Sequence, residues 1–308
     1  MPKNIIVPLD RSDVAERALP VAVTLARQLE ARLYLISVLE VSPDAADRFA
    51  EQAPDEPLNE PLRSALEDVE AYLGNIASGL DTAVAATQVL IGADPAVEID
   101  ATVLELDDAL LVMTGHGRSG IRRLVLGSTT TRLVQLASYP LIVVPAECNV
   151  FGYPESISRV LLAMDGSSFA EYAQEVTLDV FPADDLSLHL LRVVDPVEAV
   201  DTDIRGRASD YLGKIADNLS ARGRTVTWTV DVAYSADIAN RIVINAHVTE
   251  CDLIALATHG RTGFSRWYYG SVADGVLRSA TKPVMIIHPS EEVIARAPES
   301  RSRRVRQR

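Results

Sequence analysis

The sequence repeats itself. Ile6-Val7-Pro8-Leu9-Asp10-Arg11-Ser12, with Ala15 and Glu16 following, returns 155 positions later as Leu161-Leu162-Ala163-Met164-Asp165-Gly166-Ser167, with Ala170 and Glu171 following. Further along, His116-Gly117-Arg118-Ser119-Gly120 and then Gly127-Ser128 return 143 positions later as His259-Gly260-Arg261-Thr262-Gly263 and then Gly270-Ser271. Two blocks in the same order at nearly the same spacing make the chain a duplication, so one fold must serve both copies. The 12-residue difference in offset places an insertion in the first copy, most simply in the acidic stretch from Pro43 to Pro61, which reads as a surface excursion. A length of 308 residues suits two domains, each large enough for its own core. The boundaries fall at 1–147 and 158–290, joined by a linker over 148–157 that holds Gly152 and Pro154, with a basic tail over 291–308.

Within each copy short apolar, β-rich runs alternate with longer amphipathic segments, the pattern of βαβ units on a parallel sheet. The expected strands are 4–7, 33–38, 87–91, 109–113 and 141–144, answered by 159–163, 187–193, 225–232, 253–256 and 284–287. Their lack of strict alternation suits strands covered by helices on both faces, an α/β class. Ala15, Ala18, Leu19, Ala22, Leu25, Ala26 and Leu29 form one helical stripe, and Ser168 with Glu171 has capping-box spacing. The last helix of each copy should open at Ser128 or Ser271 and stop before Pro140 or Pro283.

Composition excludes several functions. A net charge of −14 works against a phosphate-backbone partner. The six arginines of Arg296–Arg308 come with no aromatic or amphipathic pattern and read as a solvated tail. Two cysteines, Cys148 and Cys251, make neither a disulfide scaffold nor a zinc site. No apolar run approaches the roughly 20 residues of a membrane span, and the N-terminus carries no signal-peptide core, so a cytoplasmic location is expected.

Ligands of an open parallel sheet bind at the carboxyl ends of its strands, and the repeated motifs fall there. Asp10 and Asp165, each after a first strand, suit a hydrogen bond from an exocyclic amine such as adenine's or the capping of the next helix. Gly117 and Gly127, like Gly260 and Gly270, are ten residues apart, and the serine after each second glycine opens a helix. That design aims backbone amides and a positive dipole end at an anion; alternatively, the glycines only permit a tight turn. Arg118, Arg122, Arg123, Arg261 and Arg266 add cations to these loops. Gly115-His116-Gly117-Arg118-Ser119-Gly120 matches a dinucleotide fingerprint formally, but Thr258 stands at the second copy's first position and no ribose-binding aspartate follows. Gly213-Lys214-Ile215 is no P-loop. His116 and His259 stand without a nucleophile or metal partner nearby in sequence, which favours packing or ligand contact over catalysis. Trp228 and Trp267 read as packing aromatics.

These residues together resemble the universal stress protein family, over about 3–145 and 157–289. Gly117-x9-Gly127-Ser128 and Gly260-x9-Gly270-Ser271 match the later part of its glycine pattern, and Asp10 and Asp165 match its early aspartate. The resemblance implies two tandem, Rossmann-like, doubly wound domains, each a five-stranded parallel sheet of order 3-2-1-4-5 with helices on both faces. It implies ATP, with magnesium or manganese in some members, as the cofactor. Adenine would fall to Asp10 and Val38 and to Asp165 and Val193, and the sugar to Thr114 and Ala257. The phosphates would fall to Gly117, Arg118, Gly127 and Ser128 and to Gly260, Arg261, Gly270 and Ser271. No catalytic residue and no protein metal ligand is assigned. Thr114 and Ala257 replace the pattern's first glycine, and Arg11 replaces the glycine after the aspartate that Gly166 keeps. The resemblance also implies pairing of the halves through their last strands as a pseudo-dimer, with room for a homo-oligomer. The expected function is an ATP-binding stress-response sensor or regulator; the alternatives are a nucleotide-free interaction protein and a nucleotide-hydrolysing enzyme using His116 or His259.

Overall fold

Apolar runs rich in branched residues become strands here, and amphipathic helices between them cover the sheet on both faces. The computed structural model describes residues 1–51, 58–82, 84–115, 126–150, 152–182, 186–196, 203–258, 270–289 and 293. The first half runs β1 (Asn4–Pro8), α1 (Asp13–Glu16), α2 (Leu19–Gln28), β2 (Arg32–Glu40), α3 (Pro43–Glu51), α4 (Glu60–Gly79), β3 (Val84–Gly92), α5 (Pro95–Glu105), β4 (Ala109–Thr114), α6 (Ser128–Leu136) and β5 (Leu141–Val144). The second half runs β6 (Arg159–Ala163), α7 (Ser168–Val180), β7 (Ser187–Val194), α8 (Ile204–Ala221), β8 (Thr225–Val232), α9 (Ile238–Val248), β9 (Leu253–Ala257), α10 (Ser271–Ser279) and β10 (Val284–Ile287). The helix α3 lies in the first-half insertion; it packs against β3 and buries none of its residues.

The ten strands of the described residues form one sheet, ordered β3-β2-β1-β4-β5-β10-β9-β6-β7-β8. Each half is parallel and has the doubly wound order 3-2-1-4-5 in its own strand count. The halves meet where β5 pairs antiparallel with β10, Leu141 opposite Ile286 and Val143 opposite Val284. Both segments are wholly apolar and fully buried, and each would otherwise end its half-sheet in an exposed edge.

Alternate strand residues feed two apolar layers. Ile5, Val7, Ile142, Val144, Met285 and Ile287 join one layer with α2, α4, α7 and α8. Ile6, Leu141, Val143, Val284 and Ile286 join the other with α5, α6, α9 and α10. Both layers draw on both copies, so each continues across the junction.

The segment between the halves is held by side chains. The Gln28 amide donates to the Ile157 carbonyl at 2.9 Å and accepts from the Ile157 N–H at 2.8 Å, while Thr24 Oγ1 donates to the Pro154 carbonyl at 2.9 Å. Cys148, Val150 and Ile157 are buried in the first layer. Replacing Gln28 by alanine leaves two part-buried backbone groups without these partners and is expected to cost about 1–3 kcal/mol in denaturant unfolding.

His189 in β7 is buried; its Nδ1 lies 2.9 Å from Thr227 Oγ1, and its Nε2 has no hydrogen-bond partner among the described residues. Burial first, and the nearby Arg159 charge second, push its pKa below the usual 6.5. The unfolded chain therefore binds this proton more readily, so the group's stability contribution is intact above pH about 6.5 and declines as pH falls toward the depressed folded value. Thermal melts from pH 7 to 5 should fall less steeply for His189→Asn than for the parent chain.

Candidate nucleotide-binding rims

Parallel pairing brings the carboxyl ends of β1, β2 and β4 together. Asn4 pairs with both Arg32 and Ala109, so the same offsets set Asp10 level with Val38 and Leu9 level with Thr114. In the second half Arg159 pairs with Ser187 and Val160 with Leu253, which sets Asp165 level with Val193 and Met164 level with Ala257. The ladder persists past the strand ends, for the Leu9 N–H donates to the Ile36 carbonyl and the Met164 N–H to that of Leu191, each at 2.8 Å. These residues stand where chain order reverses, beside β1 and β6, the place at which open sheets bind ligands.

Both aspartates do the same local work. Asp10 Oδ1 accepts from the Ser12 N–H at 3.1 Å and from Ser12 Oγ at 2.5 Å, and Ser12 Oγ accepts from the Ala15 N–H at 3.1 Å. In the second half Asp165 Oδ1 accepts from the Ser167 N–H at 2.9 Å and Oγ at 2.6 Å, and Ser167 Oγ accepts from the Ala170 N–H at 3.2 Å. The serine is thus the cap and the aspartate its brace. The capping-box spacing pointed to Ser168; the N-cap is Ser167, whose φ of −87° and ψ of 157° are extended. Between brace and cap the chain turns through the left-handed region, at φ 67° for Arg11 and 81° for Gly166. Glycine adopts this freely, whereas arginine is strained there.

The base of each glycine loop is pinned. The Gly127 N–H donates to the Gly115 carbonyl at 2.8 Å and the Gly270 N–H to the Thr258 carbonyl at 2.6 Å. A Cβ on Gly270 would stand 3.1 Å from that carbonyl oxygen, which accounts for glycine at this position. Both glycine amides are therefore spent on backbone, and among the described residues the amides left to face an anion belong to the first turns of α6 and α10. Gly127 and Gly270 are the N-caps of those helices, without a side-chain cap, and Ser128 and Ser271 after them are exposed. Gly117, Arg118, Gly260 and Arg261 lie outside the described residues, as do His116, His259, Arg122, Arg123, Arg266, Trp267 and the Arg296–Arg308 tail.

The halves differ at the sugar position. Thr114 is 5% exposed, and its carbonyl accepts from Thr130 Oγ1 at 3.0 Å; Ala257 is half-buried. Val38 and Val193 are half-buried and pack on the second apolar layer.

A tyrosine–glutamate pair beside each aspartate has no signature in the sequence. Tyr72 OH on α4 donates to Glu16 Oε1 on α1 at 2.9 Å, and Tyr211 OH on α8 donates to Glu171 Oε1 on α7 at 3.3 Å. Burial, followed by the neighbouring glutamate, raises both phenol pKa values above the ordinary range. The Arg192 guanidinium lies over the Tyr211 ring, 5.2 Å from its centroid. Among the described residues no group of three or more His, Cys, Asp or Glu side chains is placed to hold a metal ion, and no helix is long and apolar enough to cross a membrane.

Such a chain is a tandem α/β protein of the doubly wound class, with one candidate ligand rim per half. The Universal stress protein family model matches residues 1–145 and 156–288, and the chain belongs to that family. It is 26% identical over 198 residues to a universal stress protein of Mycolicibacterium smegmatis, covering 58% of this chain and 62% of that protein. With a universal stress protein of Mycobacterium tuberculosis it shares 26% identity over 195 residues, covering 61% and 65%. In both comparisons the chain spans less than two thirds of the relative's length. A third relative, from Methanocaldococcus jannaschii, is 30% identical over 142 residues, covering 46% of this chain and 81% of its own. The crystal structure of a universal stress protein from Archaeoglobus fulgidus superimposes with a TM-score of 0.66 at 17% identity, covering 94% of this chain and 97% of that one, and shares the fold.

If Ser167 caps α7 as the geometry indicates, Ser167→Ala should lower stability by about 1 kcal/mol in chemical denaturation, whereas Ser168→Ala should change it by less than about 0.5 kcal/mol.

Proposed function

We propose that the chain binds adenine nucleotides, ATP foremost, at the two rims and acts as a nucleotide-dependent sensor or regulator in the stress response. The observation that carries this reading is the repetition of one arrangement at the reversal point of each half-sheet. A braced aspartate stands level with a valine, next to a backbone-pinned loop that opens a helix without a side-chain cap. In this reading Asp10 with Val38, and Asp165 with Val193, hold the base. Thr114 and Ala257 adjoin the sugar, and Gly117, Arg118 and Ser128, with Gly260, Arg261 and Ser271, hold the phosphates, while Gly127 and Gly270 border them as the helix caps whose lack of a side chain lets the phosphates approach. The first-turn amides of α6 and α10 supply the positive end of each helix to them. A divalent metal, where present, would be held chiefly by the phosphates, since the described residues offer no carboxylate cluster.

The second half is the better site. Ala257 leaves more of its rim accessible than the buried Thr114 does, and Gly166 turns without the strain of Arg11. With no general base assigned, the nucleotide serves as a signal and turnover is slow. A nucleotide-free interaction protein is the competing reading, because the bonds from Gly127 and Gly270 pin the base of each loop without any ligand.

Calorimetric titration of the full chain with ATP, alongside chromatography of nucleotide released on denaturation, separates the two readings. Binding should be seen, and Gly270→Val should weaken it at the second site by at least roughly tenfold, the equivalent of about 1.4 kcal/mol, with helical content retained. The absence of both binding heat and released nucleotide from the parent chain would favour the interaction protein.

A further inference from the structure

The arginine-rich stretch 296–308, net +5, plays no part in the nucleotide reading, and the structure fixes where the chain sets out toward it. His288, the residue after β10, places Nε2 2.6 Å from the Val134 carbonyl in α6, and Pro289 is buried. The chain therefore leaves the sheet against α6, at the rim where β5 begins. Val293, the next described residue, is helical and half-buried, so by that point the chain has not run out into solvent.

Beside this exit lies a surface of matching character. Helix α5 packs on α6, and Tyr139, just after α6, donates to Asp100 Oδ1 on α5 at 2.9 Å. The inner face of α5 buries Ala96, Ile99 and Val103, yet Val97 and Leu104 are 43% and 59% exposed, as is Leu136 at the end of α6 at 45%. A helix apolar all round is ordinarily covered all round. The charge here is one-sided: positions 94–108 hold six carboxylates and no lysine or arginine. Arg132 pairs with Asp94 and Lys3 with Asp108, while the exposed Glu105 and Asp107 make no ion pair among the described residues. Those two stand at the carboxyl end of α5, where the helix dipole disfavours negative charge.

The second half answers the same problem with an arginine. Arg159 Nη1 donates to the Thr249 carbonyl at the end of α9 at 2.7 Å and lies 3.9 Å from Glu250. Its counterpart 155 positions earlier is Asn4, whose side-chain amide donates to the Asp107 carbonyl at 2.7 Å but brings no charge. The first half keeps the hydrogen bond and lacks the cation.

We infer that the segment after Val293 docks back on the first half of its own chain. Its arginines lie against Glu105 and Asp107, and Ile294 and Val305 offer apolar side chains to Val97, Leu104 and Leu136. Reach is ample. Arg301 is 12 positions beyond Pro289. That is up to about 40 Å of extended chain, whereas packed helices lie about 8–10 Å apart and α5 is about 16 Å long. The start of α10, which shares this rim, repels the segment: it is the positive end of a helix, after a loop that carries Arg261 and Arg266. The inference does not depend on the nucleotide reading.

A spin label on Ser302→Cys in the full chain tests it by methyl NMR, since Cys148 and Cys251 are buried and leave the new thiol as the reactive one. Methyls of Val97, Leu104 and Leu136 should broaden, and those of Ile244 and Val248, exposed on α9, should not. The broadening should fall at least about twofold in about 1 M salt, where the screening length is about 3 Å. Glu105→Gln/Asp107→Asn, which keeps the Asp107 carbonyl for Asn4, should lower it comparably, with the label-free spectrum otherwise unchanged. Broadening that neither salt nor this variant reduces overturns the inference, as does its absence or its centring on Ile287 and Val272 at the second rim. Spin-labelled chain is also mixed with isotope-labelled chain that carries no spin label. Broadening that persists in the mixture makes the occupant a second copy and overturns docking within one chain.

Discussion

Four residues on each side, Leu141–Val144 against Val284–Ile287, make two half-sheets into one. Neither segment has a polar side chain to offer water, and each lies at the end of a parallel half-sheet, so pairing disposes of two apolar edges at once. Because the ladder is antiparallel while each half is parallel, the carboxyl ends of the two halves point to opposite rims of the common sheet. Ligands bound at the two rims would be separated by the length of the strands and the shared core. The helical layers reinforce the join: His288, just after β10, places its Nε2 2.6 Å from the Val134 carbonyl in α6.

Much of this architecture was legible in the order of residues. Runs such as Leu33–Val38 and Ser187–Val193 are too short and too rich in branched residues for helices, and they became β2 and β7 with ends moved by no more than two residues. The glycine ahead of each last helix marked its start, since Gly127 and Gly270 are the N-caps of α6 and α10. Where several residues compete to cap one turn, sequence spacing was a poorer guide: Ser167 and Ser168 are adjacent, and the brace from Asp165 decides between them.

What stayed hidden was long-range and polar. The pairing of Tyr72 with Glu16 spans 56 residues and that of Tyr211 with Glu171 spans 40, so no fixed spacing betrays them. The clamp of Gln28 on Ile157 turns a stretch that composition marks as a linker into part of the packed structure. Nor did the acidic stretch after β2 announce α3, a helix that buries none of its own residues. In each case the determining contact joins segments that the chain order keeps apart.

The duplication has let one half drift further than the other. Arg11 and Thr114 burden the first rim with backbone strain and a buried side chain, whereas Gly166 and Ala257 leave the second closer to an open cup. A crystal structure of the full chain grown with a slowly hydrolysed ATP analogue tests the nucleotide account most directly. The account predicts the base beside Asp165 and Val193, with the phosphates over the start of α10 at Gly270 and Ser271. Analogue bound elsewhere, or a second rim that stays empty at saturating ligand, would contradict it.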